Sequence, residues 1–255
     1  MGIDASRICS GAKSLTAEEF KEKNNNLPST LKNSAMVNTK LFRMIREGEH
    51  QQQDFKFCIN DSRKIARSLV AFANTDGGRL LIGVKDNGNI AGVQTEEEYY
   101  MIEAAAKLYS KPKIEFETQQ WHTTDGKTVL QIDIPPSPNK PHYAKDENQK
   151  WLAYIRHEDQ NILANRILLE VWKKKQKPRG VFIRYTEEEK KILQYLSNHQ
   201  KINPGRLSRS MSISRWKTER ILINLITIGV IEIEQTTDGV HYHLTDNFIL
   251  SGNNK

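Results

Sequence analysis

The sequence predicts an α+β fold, in which a mixed domain of antiparallel strands and packed helices precedes a C-terminal winged-helix domain. Three observations predict it. One clear amphipathic helix lies between two strand-like runs, turns rich in Asn, Asp and Gly separate the strands that follow, and the last third has the order helix, helix, turn, helix, hairpin. The predicted segments are a disordered leader (1–36), the mixed domain (37–172), a basic linker (173–184), the winged helix (185–250) and a tail (251–255).

The composition is that of a globular protein, with 37% apolar and 27% charged residues. No apolar run approaches the roughly 20 residues that span a bilayer, and the N-terminus has no apolar segment of the signal-peptide type. We therefore expect a cytoplasmic protein without a membrane partner. The two cysteines, Cys9 and Cys58, are far apart in the sequence, which argues against a disulfide framework or a cysteine zinc site.

Positive charge is concentrated in the last third of the chain. The net charge of +7 divides into +1 over residues 1–36, −1 over residues 37–170 and +7 over residues 171–255. Because nucleic-acid binding depends on neutralising phosphates, a phosphate-binding surface is expected near the C-terminus.

In the mixed domain, the clearest element is a helix capped by Asp61 or Ser62, with Ile65, Leu69 and Phe72 on one face. The Asp-Asn-Gly-Asn turn at residues 86–89 predicts a hairpin. In order, the predicted elements are a helix (37–45), a strand (53–59), the capped helix (to 74), a hairpin (79–84 and 90–93), a helix (95–109), an antiparallel pair (113–118 and 128–134), a strand (152–156) and a helix (161–172).

The C-terminal third carries signals for three helices and a hairpin. Thr186 and Ser214 are candidate helix caps, and Pro204 is suited to the first turn of a helix. The predicted elements are three helices (187–198, 204–210 and 214–229) and two strands (230–235 and 240–244). This order is the winged-helix arrangement.

The third of these helices has one apolar and one cationic face. At about 100° per residue, its buried stripe is predicted to contain Thr218, Ile221, Leu222, Leu225 and Ile228. Trp216 and Arg220 point the opposite way, and Arg215 and Lys217 flank them. These four residues lie at the N-terminal end of the helix, which is the end that enters the major groove in helix-turn-helix proteins.

Further basic residues are candidates for phosphate contacts. Arg206 and Arg209 on the second helix, together with the lysines at 173–175, are placed to hold phosphates and set the register on a duplex. The alternative is that the winged helix serves only dimerisation or domain contact, with its charges solvated. A homodimer is possible, although no coiled-coil repeat supports it.

Part of the mixed domain resembles a known family. The motifs are Gly48-Glu49, Asp54-Phe55-Lys56, the stretch AFANTDGGRLLIGVKDNG at residues 71–88, and IAGV at residues 90–93. They look like the Schlafen AlbA_2 domain over about residues 41–164, with a looser likeness around Arg156. The resemblance implies DNA binding, because bacterial domains of this family commonly precede winged helices in proteins labelled as transcriptional regulators.

The same resemblance implies an alternative activity. Some Schlafen relatives are metal-dependent endoribonucleases that act on structured RNA, such as tRNA, through three acidic residues. Carried over by motif, these are Glu49, Asp54 and Asp86, which would hold Mg²⁺ or Mn²⁺, and Lys56 would stabilise charge on the phosphate. Asp54 stands where glutamate is usual, so its reach is shorter by one methylene.

These acidic residues also have a structural interpretation. Glu49 and Asp54 would then belong to a solvated strand edge, and Asp86 would stabilise its Asn-Gly turn. The sequence therefore leaves three hypotheses: a DNA-binding regulator, a divalent-metal ribonuclease with the winged helix as a targeting module, and a protein-interaction module. It contains no Gly-x-x-x-x-Gly-Lys-Ser/Thr phosphate loop of an ATPase.

Overall fold

The structure, a computed structural model, describes residues 39–93, 97–177, 186–199 and 202–246. The predicted leader (1–36) and tail (251–255) lie outside the described residues and stay predictions. Within the described ranges, no helix combines the length and the apolar character needed to cross a membrane.

Helix α1 covers residues 39–47, which agrees with the predicted first helix to within two residues at each end. The boundary between two compact units of the chain falls near its end, between Arg46 and Glu47. All elements described below belong to the second unit.

A four-stranded sheet forms the centre of the mixed domain, with the strand order β1-β2-β5-β4. The strands β1 and β2 are parallel, and the pairs β2–β5 and β5–β4 are antiparallel. The parallel pair results from the helix α2 that connects them, because parallel neighbours need a crossover. The bounds are β1 Gln53–Lys56, α2 Ser62–Asn74, β2 Gly78–Ile82, β4 Glu117–His122 and β5 Thr128–Ile134.

Helix α2 packs its apolar face on this sheet. Asp61 caps it, accepting a hydrogen bond of 2.9 Å from the backbone N–H of Arg63. Leu69 and Phe72 are fully buried, as predicted, in a core shared with Leu80 and Ile132 of the sheet. This helix and its buried face are therefore confirmed.

Shorter elements complete the mixed domain beside the sheet. Helix α3 is followed by a three-stranded sheet of order β3-β6-β7 and a separate hairpin of β8 and β9. Their bounds are α3 Glu97–Lys107, β3 Ser110–Lys111, β6 Tyr143–Lys145, β7 Trp151–Leu152, β8 Tyr154–His157 and β9 Gln160–Leu163.

Three predictions in this region need correction. The strand predicted at residues 113–118 lies later, at Glu117–His122, and the predicted hairpin after β2 is reduced to one bridge between Val84 and Ile90. The helix predicted from residue 161 begins only at Arg166, because residues 160–163 pair with β8 and Asn165 caps the helix, accepting from the N–H of Leu168 at 2.9 Å.

Helix α4, Arg166–Lys175, connects the mixed domain to the C-terminal part. The lysines at 173–175, predicted to begin a linker, form its last turn. Ile167 and Val171 on its apolar face are buried in the C-terminal core, beside Leu222 and Leu225. The predicted domain boundary at residue 172 therefore falls inside α4, and the apolar face of α4 packs against the C-terminal helices.

The C-terminal part contains three helices followed by a hairpin, in the predicted order. The helix α7 ends at Thr227 and leaves Ile228 exposed, so Ile228 is not part of the buried stripe, whereas the other four predicted members are buried. The bounds are α5 Glu187–Ser197, α6 Pro204–Met211, α7 Arg215–Thr227, β10 Ile231–Thr236 and β11 Gly239–Leu244. Ile202, which precedes α6, pairs with Tyr242 of β11 through a single antiparallel β-bridge.

Candidate nucleic-acid interface

Two of the three acidic residues suggested by the family resemblance lie together. The Glu49 and Asp54 carboxyl groups share a hydrogen bond at β1, and Glu49 Oε1 also accepts one of 2.9 Å from the backbone N–H of Phe55. Asp86 lies in the exposed turn that follows β2. Among the residues that the structure describes, no three His, Cys, Asp or Glu side chains are grouped so that they could hold a metal ion.

Asp54 is buried and already has partners for both carboxylate oxygens. Lys56 Nζ lies 2.9 Å from Oδ2, Ser68 Oγ donates to the same oxygen at 3.3 Å, and Arg156 Nη2 lies 3.6 Å from Oδ1. A buried carboxylate must have its charge compensated, and two cations do so here. A divalent cation would compete with both of them, so these residues as arranged do not fit Mg²⁺ or Mn²⁺.

Arg156 ties the β8–β9 hairpin to β1. Its side chain is only 1% exposed. Nη2 donates to the carbonyl of Gln53 at 3.1 Å, Nη1 donates to Asn161 Oδ1 at 3.1 Å, and the guanidinium lies 5.1 Å from the centre of the Phe72 ring. The sequence does not reveal this role, because the family likeness is loose around Arg156 and no local pattern pairs it with β1.

The carboxyl groups of Glu49 and Asp54 differ in pKa. Burial raises the pKa of Glu49 to about 7, and its hydrogen bond with Asp54 adds to that effect. Burial acts in the same direction on Asp54, but the hydrogen bond from Glu49 and the charges of Lys56 and Arg156 outweigh it and lower the pKa of Asp54. Below about pH 7, the proton of the pair therefore resides on Glu49.

The predicted cationic end of α7 is exposed. The Trp216 side chain is 63% exposed, and the Arg220 guanidinium lies over its ring, 4.8 Å from the centroid. Residues four apart lie on the same helix face, which brings these two together. An exposed indole with a cation on one face leaves the other ring face available for contact.

Arg215 and Lys217, the other predicted residues of this helix, each form an ion pair. Arg215 Nε lies 2.9 Å from Glu219 Oε1, although its side chain is 79% exposed. Lys217 Nζ lies 2.5 Å from Glu188 Oε1 on α5, and its hydrogen bond, with one from Thr186, lowers the pKa of Glu188 to about 2. Lys217 therefore joins α7 to α5.

On α6, both predicted arginines are exposed. Asn203 caps this helix by accepting a hydrogen bond of 2.8 Å from the backbone N–H of Arg206. Arg209 Nε donates to the carbonyl of Gly205, one turn earlier in the same helix, at 3.2 Å.

Two residues of α4 extend the basic surface of α7: Lys174, one of the lysines predicted to contact phosphates, and Arg166, which was not predicted. Lys174 Nζ donates to Asn224 Oδ1 of α7, and burial lowers the pKa of Lys174, with the charges of Lys177 and Arg220 adding to the effect. Arg166 Nη1 lies 3.9 Å from Glu219 Oε2 and is 78% exposed. Only the packing of α4 on α7 reveals this proximity.

Part of the chain matches a known protein family. Residues 49–165 match the family model described as Schlafen, AlbA_2. No curated protein matches the chain.

Three solved structures are similar to parts of the chain. The first is a mutant of Lactococcus lactis ZitR, with 20% identity and a TM-score of 0.25; the match covers 27% of this chain and 48% of that one. The second is the DIP2311 protein from Corynebacterium diphtheriae, with 19% identity and a TM-score of 0.35, covering 52% of this chain and 25% of that one. The third is the N-terminal domain of a RecG-related protein from Nitrosomonas europaea, with 22% identity and a TM-score of 0.34, covering 49% of this chain and 95% of that one. The chain thus spans about half of the first and a quarter of the second. At these TM-scores, none of the three bears on its function.

The family match coincides with the motifs at residues 49, 54–56, 71–88 and 90–93. It also covers the strands and helices from β1 to β9. Residues 49–165 are accordingly similar to the Schlafen AlbA_2 family, as the sequence motifs predict.

Proposed function

We propose that this protein binds nucleic acid and acts as a DNA-binding transcriptional regulator, in which the predicted winged helix-turn-helix (185–250) reads DNA. The observation that carries the proposal is the exposed pair of Trp216 and Arg220 at the start of α7. In helix-turn-helix proteins, the N-terminal residues of the second helix of the motif contact base edges in the major groove.

The surroundings of this pair support the proposal. Arg215 is highly exposed and Arg166 and Lys174 of α4 lie close to α7, so cations border the pair on more than one side. Glu219, whose side chain is 15% exposed, is held by Arg215 and Arg166. A duplex phosphate approaching this surface would meet mainly exposed guanidinium groups.

In the proposed complex, α7 lies in the major groove, and the β10–β11 hairpin serves as the wing. Arg206 and Arg209 on α6 contact phosphates and position the protein without reading sequence. A homodimer would place two α7 helices on half-sites about one helical turn apart.

The test is binding of a labelled DNA duplex, followed by fluorescence anisotropy at several salt concentrations. Replacing Arg215 and Arg220 together by Ala should weaken binding by roughly tenfold or more. It should also reduce the salt slope by about 1.8, because each lost phosphate contact on B-DNA removes about 0.9.

The control replaces Lys190 and Lys191, two exposed lysines of α5, by Ala. This variant loses the same charge at a place outside the proposed surface. The proposal is wrong if both double variants bind equally well, or if the parent protein shows no salt-sensitive binding to a duplex.

The competing function is the metal-dependent ribonuclease. The paired carboxyl groups of Glu49 and Asp54 and the raised pKa of Glu49 favour a functional site here, since perturbed carboxyl groups cluster at such sites. Two observations argue against it: two cations contact Asp54, and the described residues contain no group of three His, Cys, Asp or Glu side chains that could hold a metal ion. We therefore place the ribonuclease second.

A further inference from the structure

A large cleft lies on the mixed domain and α4, and none of its lining residues belongs to α7. Its volume is about 1220 Å³. Three stretches form its walls: the segment after β3, the proline-rich loop 135–141 with β6 and β7, and the end of α4. The lining side chains include Lys111, Lys140, Lys173, Lys175, Tyr143, Trp151 and Trp172.

The proline-rich wall is fixed from behind by buried hydrogen bonds. Asn74 Oδ1 accepts from the backbone N–H of His142 at 2.8 Å, and Asn74 Nδ2 donates to the His142 carbonyl at 2.9 Å. The two ring nitrogens of His142 lie 2.7 Å from Ser137 Oγ and 3.0 Å from the Pro112 carbonyl. His142 therefore holds two walls together, and the cleft is formed before any ligand arrives.

The lining is cationic. It contains four lysines, and no acidic residue lines it among the described parts of the chain. Burial lowers the pKa of the Lys140 ammonium, Asp76 partly offsets that effect, and the charge of Lys175 adds to it. Lys173 Nζ lies 3.0 Å from Glu170 Oε1, and both side chains are exposed. Lysines crowded in this way attract an anion.

Aromatic rings lie among these lysines. Trp151 is 39% exposed, with Lys145 Nζ on its ring at 5.9 Å, and Tyr143 and Trp172 are half-buried. A basic groove with exposed aromatic rings is the chemistry that binds single strands, because phosphates follow the cations and bases stack on the rings. A duplex has its bases already stacked and cannot use the rings.

The size of the cleft favours a strand of nucleic acid over a small ligand. Pockets for small molecules usually have volumes of roughly 300–1,000 Å³ and bury most of the ligand. This cleft is larger and is open to solvent, so it suits several linked nucleotides better than one.

We propose that this cleft binds a single-stranded segment of nucleic acid, with bases stacked on Trp151 and Tyr143 and phosphates at Lys111, Lys173 and Lys175. It is a second nucleic-acid site, and it does not depend on the DNA-reading role proposed for α7. Single-stranded DNA and RNA share this chemistry.

The experiment measures binding of labelled ten-nucleotide oligo(dT) and oligo(U) to the full chain by fluorescence anisotropy. Trp151→Ala should weaken binding roughly 5- to 150-fold, the range expected for one lost stacking contact. Replacing Lys111 and Lys173 together by Ala should reduce the salt slope by about 1.4, because each phosphate contact on a single strand contributes about 0.7. The two oligonucleotides distinguish DNA from RNA.

The matched control is Lys113→Ala, an exposed lysine two residues from Lys111 that does not line the cleft. It should bind like the parent protein. A saturating unlabelled duplex should leave the labelled strand bound, which shows that the two sites are separate.

Three results would overturn the proposal. The first is parent-like binding by both the Trp151 variant and the double lysine variant. The second is displacement of the strand by the duplex, and the third is a mononucleotide that binds as tightly as the ten-nucleotide strand, which would make the cleft a small-ligand pocket.

Discussion

At the scale of single residues, Arg156 determines what the acidic pair can do. Its guanidinium and the ammonium of Lys56 hold Asp54 ionised, so the shared proton stays on Glu49. Removing one member of a buried ion pair usually costs about 3–5 kcal/mol, because the other charge is left uncompensated. Replacing either Asp54 or Arg156 alone is therefore expected to destabilise the mixed domain.

The raised pKa of Glu49 predicts a pH dependence of stability. Glu49 ionises near pH 4.5 when the chain is unfolded and near 7 when it is folded, so its contribution is complete below pH 4.5 and is lost as the pH rises through about 7. The variant Glu49→Gln lacks this loss. The difference in unfolding free energy between the variant and the parent should therefore shift in favour of the variant between pH 5 and pH 8. Once solvent screening is allowed for, the shift should be on the order of 1 kcal/mol.

Urea unfolding at both pH values measures this difference. Asp54 is ionised throughout this range, because its pKa is lowered, so it does not contribute to the change. An equal difference between variant and parent at both pH values would contradict the shared proton.

The positions of the candidate nucleic-acid-binding side chains could be predicted from the sequence only in part. The exposure of Trp216 and Arg220 follows from helical periodicity, and the structure agrees. The partner of Lys217 on α5 and the approach of Lys174 to Arg220 depend on how helices pack, and one-dimensional periodicity carries no such information.

At the scale of elements, the turn between α2 and β2 shows why its glycines matter. Gly77 has a φ of +71°, and a Cβ atom there would lie 2.7 Å from the Ile134 carbonyl oxygen and 2.8 Å from Pro136 Cδ. Both atoms belong to rigid backbone or ring. Glycine at position 77 thus allows the end of β5 to approach the turn.

Replacing Gly77 by Ala should therefore destabilise the protein by roughly 3 kcal/mol or more. The matched control is Gly126→Ala, whose φ is +80° but whose Cβ atom would meet nothing within 4 Å. It should cost only about 1–2 kcal/mol, the penalty of the left-handed backbone alone. Urea unfolding compares the two variants, and equal losses would show that the close approach at Gly77 is unimportant.

Elements with strong local signals were predicted correctly, and weakly marked ones were not. Asp61 and the apolar stripe of α2 specify that helix. The β8–β9 hairpin turns at Glu158, which has a φ of 53° without being glycine. Since the usual turn residue is missing there, the sequence predicts a helix where β9 lies. Strand β4 is polar along most of its length and carries no alternating pattern either.

At the scale of the whole molecule, α4 links the two parts of the second unit. Its apolar face completes the C-terminal core, Lys174 contacts α7, and Lys173 and Lys175 line the cleft of the mixed domain. One basic turn thus serves both proposed binding surfaces. The sequence predicts the positive charge of this segment but not its division between two surfaces, because that division depends on tertiary packing.

The central claim is that the protein binds nucleic acid rather than cleaving it. The most direct test incubates the purified protein with labelled tRNA and labelled duplex DNA, with either Mn²⁺ or EDTA, and measures cleavage and retention on the same gel. We predict salt-sensitive retention of the duplex in both conditions and intact tRNA throughout. Mn²⁺-dependent cleavage of the tRNA that is lost in Asp86→Asn would contradict the claim and make this protein a metal-dependent ribonuclease.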